Sequence, residues 1–199
     1  MIVQPLLAIR VLAFITAIIL FWLVSTQTKE VKKHVTEGFV SFLTTWILLF
    51  IGAKLLTKWQ LLLDHPIALL AYPSGTLEFY IATAAITVIK LYKNKSSIYT
   101  HEYVQLIAFS WFSFSVFTIV FNDEGAWSEL ILTFLFIILI TLVNIPILTV
   151  IFIVLLTGIY GLFYPSPELM GYRMDPWFYI GIALLCSLLL LFDKRRDLP

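Results

Sequence analysis

A polar segment between two long apolar runs holds the residues whose types could do chemistry. The stretch "DHPIALLAYPSGTLEFY", residues 64–80, ends with Glu78 and Tyr80 at the start of a third apolar run. A carboxylate and a phenol facing a cavity could transfer protons, with Glu78 as an acid or base. The structural alternative is that Glu78 stabilises the first turn of a helix, where the dipole and unpaired N–H groups favour a carboxylate.

Basic side chains within the apolar runs form a second candidate group, since a charge inside a membrane costs about 2.5–3.5 kcal/mol on insertion scales. Arg10 lies about two turns into the first run. It either extends toward the interface or faces the bundle interior and binds a lipid phosphate. Lys54 and Lys58 share one helical face at the end of the second run, which is typical of interface anchors.

Polar residues after the fourth and sixth runs form a third group. These residues could bind a polar head group or form an ordinary solvated loop surface. They are Asn122, Asp123, Glu124, Glu129, Glu168, Arg173 and Asp175.

The sequence lacks the motifs of common catalytic and cofactor sites. It contains no P-loop, no GxGxxG, no HExxH and no Ser/His/Asp order. Its single cysteine, Cys186, cannot form an internal disulfide, and no Cys/His cluster suggests a metal site. A net charge of +1 offers no bulk attraction for nucleic acid. We therefore expect no metal, no cofactor and no nucleic-acid partner.

The composition predicts the elements that must position these residues. Hydrophobic residues make up 61% of the 199 and charged residues 13%, with a mean hydropathy of +0.98. Such values are typical of an all-α integral membrane protein, in which each span needs about 20 apolar residues. We predict one polytopic domain over residues 1–199 with seven spans, at about 5–24, 38–56, 77–91, 102–121, 127–143, 146–164 and 176–192.

Two features support the count of seven. The stretch from Trp127 to Tyr164 is nearly twice as long as one span, and "NIP" at residues 144–146 indicates a tight turn within it. With the N-terminus outside and the C-terminus in the cytoplasm, nine basic residues fall in inner loops and three in outer ones. The inner residues are Lys29, Lys32, Lys33, Lys90, Lys93, Lys95, Lys194, Arg195 and Arg196; the outer ones are Lys54, Lys58 and Arg173. The first span, without a basic leader or a cleavage site, is expected to remain as an anchor.

The order of these features resembles the bacterial prolipoprotein diacylglyceryl transferase family. Those seven-span enzymes move diacylglyceryl from phosphatidylglycerol to the lipobox cysteine of pre-lipoproteins. "GAK" (52–54) stands where the family has G-G-R, and "DHP" (64–66) stands near its D-P. "GTLEFYIA" (75–82) lies over G-G-x-x-F-H-G-G, and "FNDEG" (121–125) over I-N-G-E. The resemblance implies a multi-pass protein of the bacterial cytoplasmic membrane.

Departures from the family pattern fall on its functional positions. Tyr80 replaces the histidine, while Val116 and Gly161 stand where the family has arginines. Valine and glycine cannot supply the bidentate donors that hold a phosphate. "LLTGIYGLFYPSPE" otherwise runs parallel to the family's sixth-span segment.

Three functional hypotheses follow. The sequence favours a non-catalytic relative that binds phospholipid, a lipoprotein or another membrane protein. The alternative is an active transferase, in which Tyr80 and Glu78 would move protons and Glu124 would orient a donor. In it Arg10 or Lys54 would bind phosphate, and Asn122 and Arg173 would contact the substrate. A small transporter ranks last, because the two halves show no symmetry.

Overall fold

A computed structural model of the chain describes residues 5–64, 75–93, 99–122, 127–143, 145–165 and 167–196. Within these ranges the chain is helical except for loops and one short hairpin, which confirms the all-α prediction. The helices are α1 (Pro5–Val24), α2 (Lys29–Thr57), α3 (Trp59–Asp64), α4 (Thr76–Lys93), α5 (Thr100–Asn122), α6 (Trp127–Leu142), α7 (Pro146–Phe163) and α8 (Pro176–Arg196); the strands are β1 (Glu168–Leu169) and β2 (Tyr172–Arg173).

Four helices, α1, α2, α5 and α7, are long and apolar enough to cross a membrane, which indicates a membrane protein. The apolar parts of α4, α6 and α8 are shorter. The seven longest described helices coincide with the predicted spans to within a few residues at most ends. The exception is α2, which begins at Lys29 rather than at Gly38. The intervening "KEVKKHVTE" contains several good helix formers, so the helix extends beyond its apolar part.

The chain divides into two compact units. The first unit comprises Met1–Thr28 and Tyr99–Pro199, and the second comprises Lys29–Ile98. The sequence-based expectation of one domain over the whole chain stays a prediction.

Neighbouring helices of the first unit run antiparallel. Gln27, just after α1, donates its amide N–H to Glu102 at the start of α5, at 2.8 Å. His101 Nε2 lies 2.9 Å from the carbonyl oxygen of Ile140, which joins the start of α5 to the end of α6. Gly158 near the end of α7 lies against residues of the first turns of α8. These contacts give an up-and-down arrangement within this unit.

Helix α5 forms the centre of the first unit. One side packs on α1, where Phe114 meets Ile9 and Ala13. Its other side packs on α6 and α7 in a cluster of Val104, Ala108, Trp111, Phe136, Ile140 and Ile153. Small residues at the α1 and α5 contacts let the helices approach closely, as is usual in membrane bundles.

The second unit pairs α2 with α4. The Trp46 ring stacks on Phe50 with centroids 5.3 Å apart and meets Phe79 of α4 edge-on at 5.1 Å. The indole N–H of Trp46 donates to the hydroxyl of Thr83 at 3.4 Å. The aromatic pair supplies packing and the hydrogen bond orients it.

Candidate functional site

Glu78 is a buried helix-capping residue in the second unit. It is 2% exposed and occupies the third position of α4, after Gly75 and Thr76. One carboxylate oxygen accepts the backbone N–H of Gly75 at 2.8 Å. The other accepts the hydroxyl hydrogen of Thr57, at the end of α2, at 2.7 Å. The bond to Gly75 is the glutamate half of a capping box, and the bond to Thr57 ties α4 to α2.

A side chain at position 75 would crowd the carboxylate of Glu78. A Cβ built there would lie 2.9 Å from Oε2 of Glu78, inside van der Waals contact. Gly75, which the sequence offers as a turn signal, is therefore part of the cap.

Lys54 of α2 and Lys58, just after this helix, act on the same carboxylate. Lys54 is 7% exposed, and its charge interacts with that of Glu78. Lys58, one turn further on and half-buried, also attracts the carboxylate. The structure thus brings together Lys54 and Glu78, which the sequence had assigned to phosphate binding and to proton transfer respectively.

Tyr80 lies on a different side of α4 from Glu78. Residues two apart on a helix point about 200° apart, so the two side chains do not converge. Tyr80 is half-buried, whereas Glu78 is almost fully buried.

Besides the contacts of Glu78, a second group of polar contacts surrounds a β-hairpin between α7 and α8, which belongs to the first unit. Its strands pair antiparallel, with Glu168 opposite Arg173 and Leu169 opposite Tyr172. Met170 and Gly171 form the turn with φ of 53° and 78°. Positive φ at both central residues is typical of a type I′ turn, which suits the twist of a hairpin. We call residues 168–173 the 168–173 hairpin.

Arg10 holds the tip of this hairpin. Its Nε donates to the carbonyl oxygen of Met170 at 2.8 Å, and its Nη1 donates to the hydroxyl of Tyr172 at 3.1 Å. The guanidinium carbon lies 4.4 Å from the centroid of the Tyr172 ring. Gly171 passes so close that a Cβ there would lie 3.2 Å from Nη2 of Arg10 and 3.3 Å from Phe114. The hairpin tip therefore lies beside the second turn of α1.

Three further helices hold the base of the hairpin. The carboxylate of Glu129 on α6 accepts the N–H of Glu168 at 2.8 Å. Trp111 on α5 donates its indole N–H to the carbonyl of Glu168 at 3.3 Å. The hydroxyl of Tyr179 on α8 donates to the carbonyl of Pro167 at 2.9 Å. Non-helical backbone within a helical membrane bundle needs such partners, because lipid offers none.

The remaining predicted site residues have less defined surroundings. Arg173 is exposed, and its Nη2 lies 3.5 Å from a carboxylate oxygen of Glu168. Asn122 is the last residue of α5. Glu124 and Asp123 lie outside the residues that the structure describes. Among the described residues, no group of three His, Cys, Asp or Glu is placed to bind a metal ion.

The residues that bind Glu78 and Arg10 had only weak signals in the sequence. Thr57 and Tyr172 carry single hydroxyls, and nothing in their neighbourhood marks a partner. The "LMGY" segment does show a turn signal, with a glycine between apolar residues. Arg10 is the single charged residue of α1, which indicates that it needs partners. The sequence does not indicate where those partners lie.

Comparisons of the chain with protein families, with curated proteins and with solved structures find no match. The relation to prolipoprotein diacylglyceryl transferases therefore stays a prediction from the sequence.

Proposed function

We propose that this chain is a non-catalytic membrane protein that binds phospholipid or a lipoprotein and is a diverged relative of prolipoprotein diacylglyceryl transferases. The observation that carries the non-catalytic part of the proposal is the hydrogen bonding of the Glu78 carboxylate. Both of its oxygens accept hydrogen bonds from structural groups, Thr57 and the N–H of Gly75. A carboxylate that is 2% exposed and bonded to these two groups is placed to cap a helix rather than to act on a substrate.

The other candidate for proton transfer supports the same conclusion. Tyr80 takes the place of the family's histidine, and a neutral phenol is a poor base at neutral pH. Because Tyr80 and Glu78 lie on different sides of α4, they do not form a pair that could share a proton.

We further propose seven spans, with the N-terminus outside, the C-terminus inside and the chain in a bacterial cytoplasmic membrane. The distribution of nine inner and three outer basic residues supports this orientation. The antiparallel packing within the first unit supports the alternating direction that seven spans require.

The proposed lipid contacts lie on the outer side. Lys58, just after α2, is half-buried, and Arg173 is exposed in the 168–173 hairpin, whereas the predicted contact Lys54 is 7% exposed and interacts with Glu78. Cations at the membrane surface attract lipid phosphates. Asn122, at the end of α5, is a further predicted contact.

A transfer assay tests the absence of catalysis. Purified protein is given labelled phosphatidylglycerol and a lipobox peptide, with an active diacylglyceryl transferase as the positive control. We expect no transfer above background. Robust transfer that disappears with Tyr80→Phe or Glu124→Gln would establish the alternative, an active transferase, and overturn the proposal.

Native mass spectrometry tests the binding part. Protein extracted in mild detergent should retain at least one phospholipid, or else a lipoprotein, when it is released in the spectrometer. Release of the wild type with neither ligand bound would end the proposal that it binds one.

A further inference from the structure

The positive charge of Arg10 lacks an anionic partner within the described part of the chain. The salt bridges formed there join Lys33 to Glu37 and Arg173 to Glu168. The acceptors of Arg10 are a carbonyl and a phenol hydroxyl, and both are neutral. A guanidinium in a membrane bundle is costly unless it pairs with an anion, binds backbone carbonyls or reaches the interface. One carbonyl and one phenol leave the net charge of Arg10 unbalanced, and an anion from outside these residues would balance it.

The guanidinium keeps donors for such an anion. An arginine has five N–H groups, and the two hydrogen bonds to the 168–173 hairpin occupy two of them. The Tyr172 ring covers one face of the guanidinium plane. Gly171 lies close to Nη2 of Arg10, and as a glycine it has no side chain that would cover the Nη2 edge of the guanidinium. Both Arg10 and Gly171 are half-buried, so part of this group reaches the surface of the unit.

The position of Arg10 suits a head group. It lies five residues after the start of α1, about 7.5 Å along the axis at 1.5 Å per residue. Helical side chains lean toward the N-terminus, so the guanidinium lies nearer the start of the helix than its Cα does. An arginine near a helix end extends in this way to the level of the head groups.

We propose that Arg10, held by the 168–173 hairpin, is a binding site for a phosphate group, carried by a phospholipid head group or by free phosphate. The proposal deepens the proposed function and rests on its placement of the chain in a phospholipid membrane. The planar guanidinium can bind two phosphate oxygens at once, which an ammonium cannot do. The bonds to Met170 and Tyr172 fix its orientation before the anion arrives, which lowers the entropy cost of binding.

The first experiment uses the wild-type chain alone. The protein is reconstituted in nanodiscs holding equal amounts of phosphatidylglycerol and a phosphate-free glycosyl diacylglycerol, and released for native mass spectrometry. We expect the phosphorylated lipid to be retained at least about fivefold more, given the strength of charge-assisted arginine–phosphate bonds. Equal retention of the two lipids, with no effect of inorganic phosphate on thermal unfolding, would overturn the proposal.

Inorganic phosphate distinguishes the two sources. If it raises the unfolding temperature of the wild type in detergent while phosphatidylglycerol does not, the site takes the free anion. If only phosphatidylglycerol does so, the site takes the lipid. Either shift must disappear in Arg10→Gln, because a ligand stabilises the fold only through the site it occupies.

Variants then assign the effect to Arg10. We expect Arg10→Lys and Arg10→Gln each to lower the amount of retained phospholipid at least about fivefold. Lysine keeps the charge but cannot bind two phosphate oxygens at once as the planar guanidinium does, and glutamine has no charge. The control, Lys33→Gln, removes an exposed lysine charge from α2 and should stay within about twofold. Unchanged retention in Arg10→Lys and Arg10→Gln removes this site but leaves the proposed lipid binding standing. If neither variant folds, the wild-type comparison decides.

Discussion

At the scale of single residues, Glu78 shows how burial changes the meaning of a carboxylate. In the sequence it stands beside a phenol at the start of an apolar run, as a catalytic acid would. In the structure Glu78 is 2% exposed, and its oxygens accept hydrogen bonds from one backbone and one side-chain donor. A buried donor left without an acceptor costs about 1–3 kcal/mol, so Glu78 contributes to the stability of α4 directly.

We predict that Glu78→Ala lowers the free energy of unfolding by about 2–3 kcal/mol. The change removes the acceptor of the Gly75 N–H, the shorter of the two hydrogen bonds of Thr57, and the negative charge that faces Lys54. Glu78→Gln should cost only about 1 kcal/mol, since an amide can accept from Gly75 and donate to Thr57. Denaturant titration of the protein in detergent, followed by circular dichroism, measures both.

The matched control is Glu37→Ala on the exposed part of α2. Glu37 pairs with Lys33 at 3.9 Å, and both side chains are exposed. Exposed pairs contribute about 0–1 kcal/mol, so this variant should unfold close to the wild type. A Glu78→Ala variant as stable as Glu37→Ala would contradict the capping role.

Arg10 could be singled out from the sequence because a lone charge in an apolar helix needs a reason. Its partners could not, since Met170 and Tyr172 lie 160 and 162 positions further along the chain. Local patterns report on neighbours within a few residues, whereas a tertiary contact depends on how the helices pack.

At the scale of elements, the helices were the most predictable feature. Their bounds follow the apolar runs because a spanning helix must satisfy its own backbone within lipid. The 168–173 hairpin was not predicted, although the glycine in "LMGY" is typical of a turn. A pair of two-residue strands is too short to be stable alone. It persists because α1, α5 and α6 form hydrogen bonds with the hairpin, and α8 forms one with Pro167 just before it.

The contact between α7 and α8 depends on a glycine. A Cβ at Gly158 would lie 2.9 Å from Cγ1 and 3.3 Å from the backbone N of Ile180, and 3.2 Å from Cβ of Tyr179. We predict that Gly158→Ala lowers the free energy of unfolding by about 1–3 kcal/mol, because the two helices must separate. Equilibrium unfolding in mixed detergent micelles measures the change.

Gly181 on α8 provides the comparison, because a Cβ there would meet nothing within 4 Å. Gly181→Ala should be neutral or stabilise by up to about 1 kcal/mol, the helix-propensity difference between the two residues. Equal losses in both variants would mean that close helix approach is not what Gly158 provides.

At the scale of the whole molecule, the length and hydropathy of four helices indicate a membrane protein. The number of spans and their orientation depend on the shorter apolar helices and on the basic loops. The tight turn expected at "NIP" has its counterpart in the short connection between α6, which ends at Leu142, and α7, which begins at Pro146.

Cysteine labelling tests the topology. In a Cys186→Ser background, single cysteines at Asp64 and Asp123 should react with an impermeant maleimide added to intact cells, because we predict both to be outside. A cysteine at Asn144 should react only after the cells are opened. Labelling of Asp64 and Asp123 on opposite faces would contradict both the seven-span topology and the resemblance to the transferases.

By itself the sequence determined the membrane class, the helical elements and the short list of charges that needed partners. Those properties follow from composition and local spacing, because lipid imposes a uniform rule on every span. Only the tertiary structure decided that Glu78 also ties α4 to α2 through Thr57, and that Arg10 holds a hairpin from the other end of the chain. Partner choice for a buried charge is set by which helices lie side by side, and local spacing does not encode that arrangement.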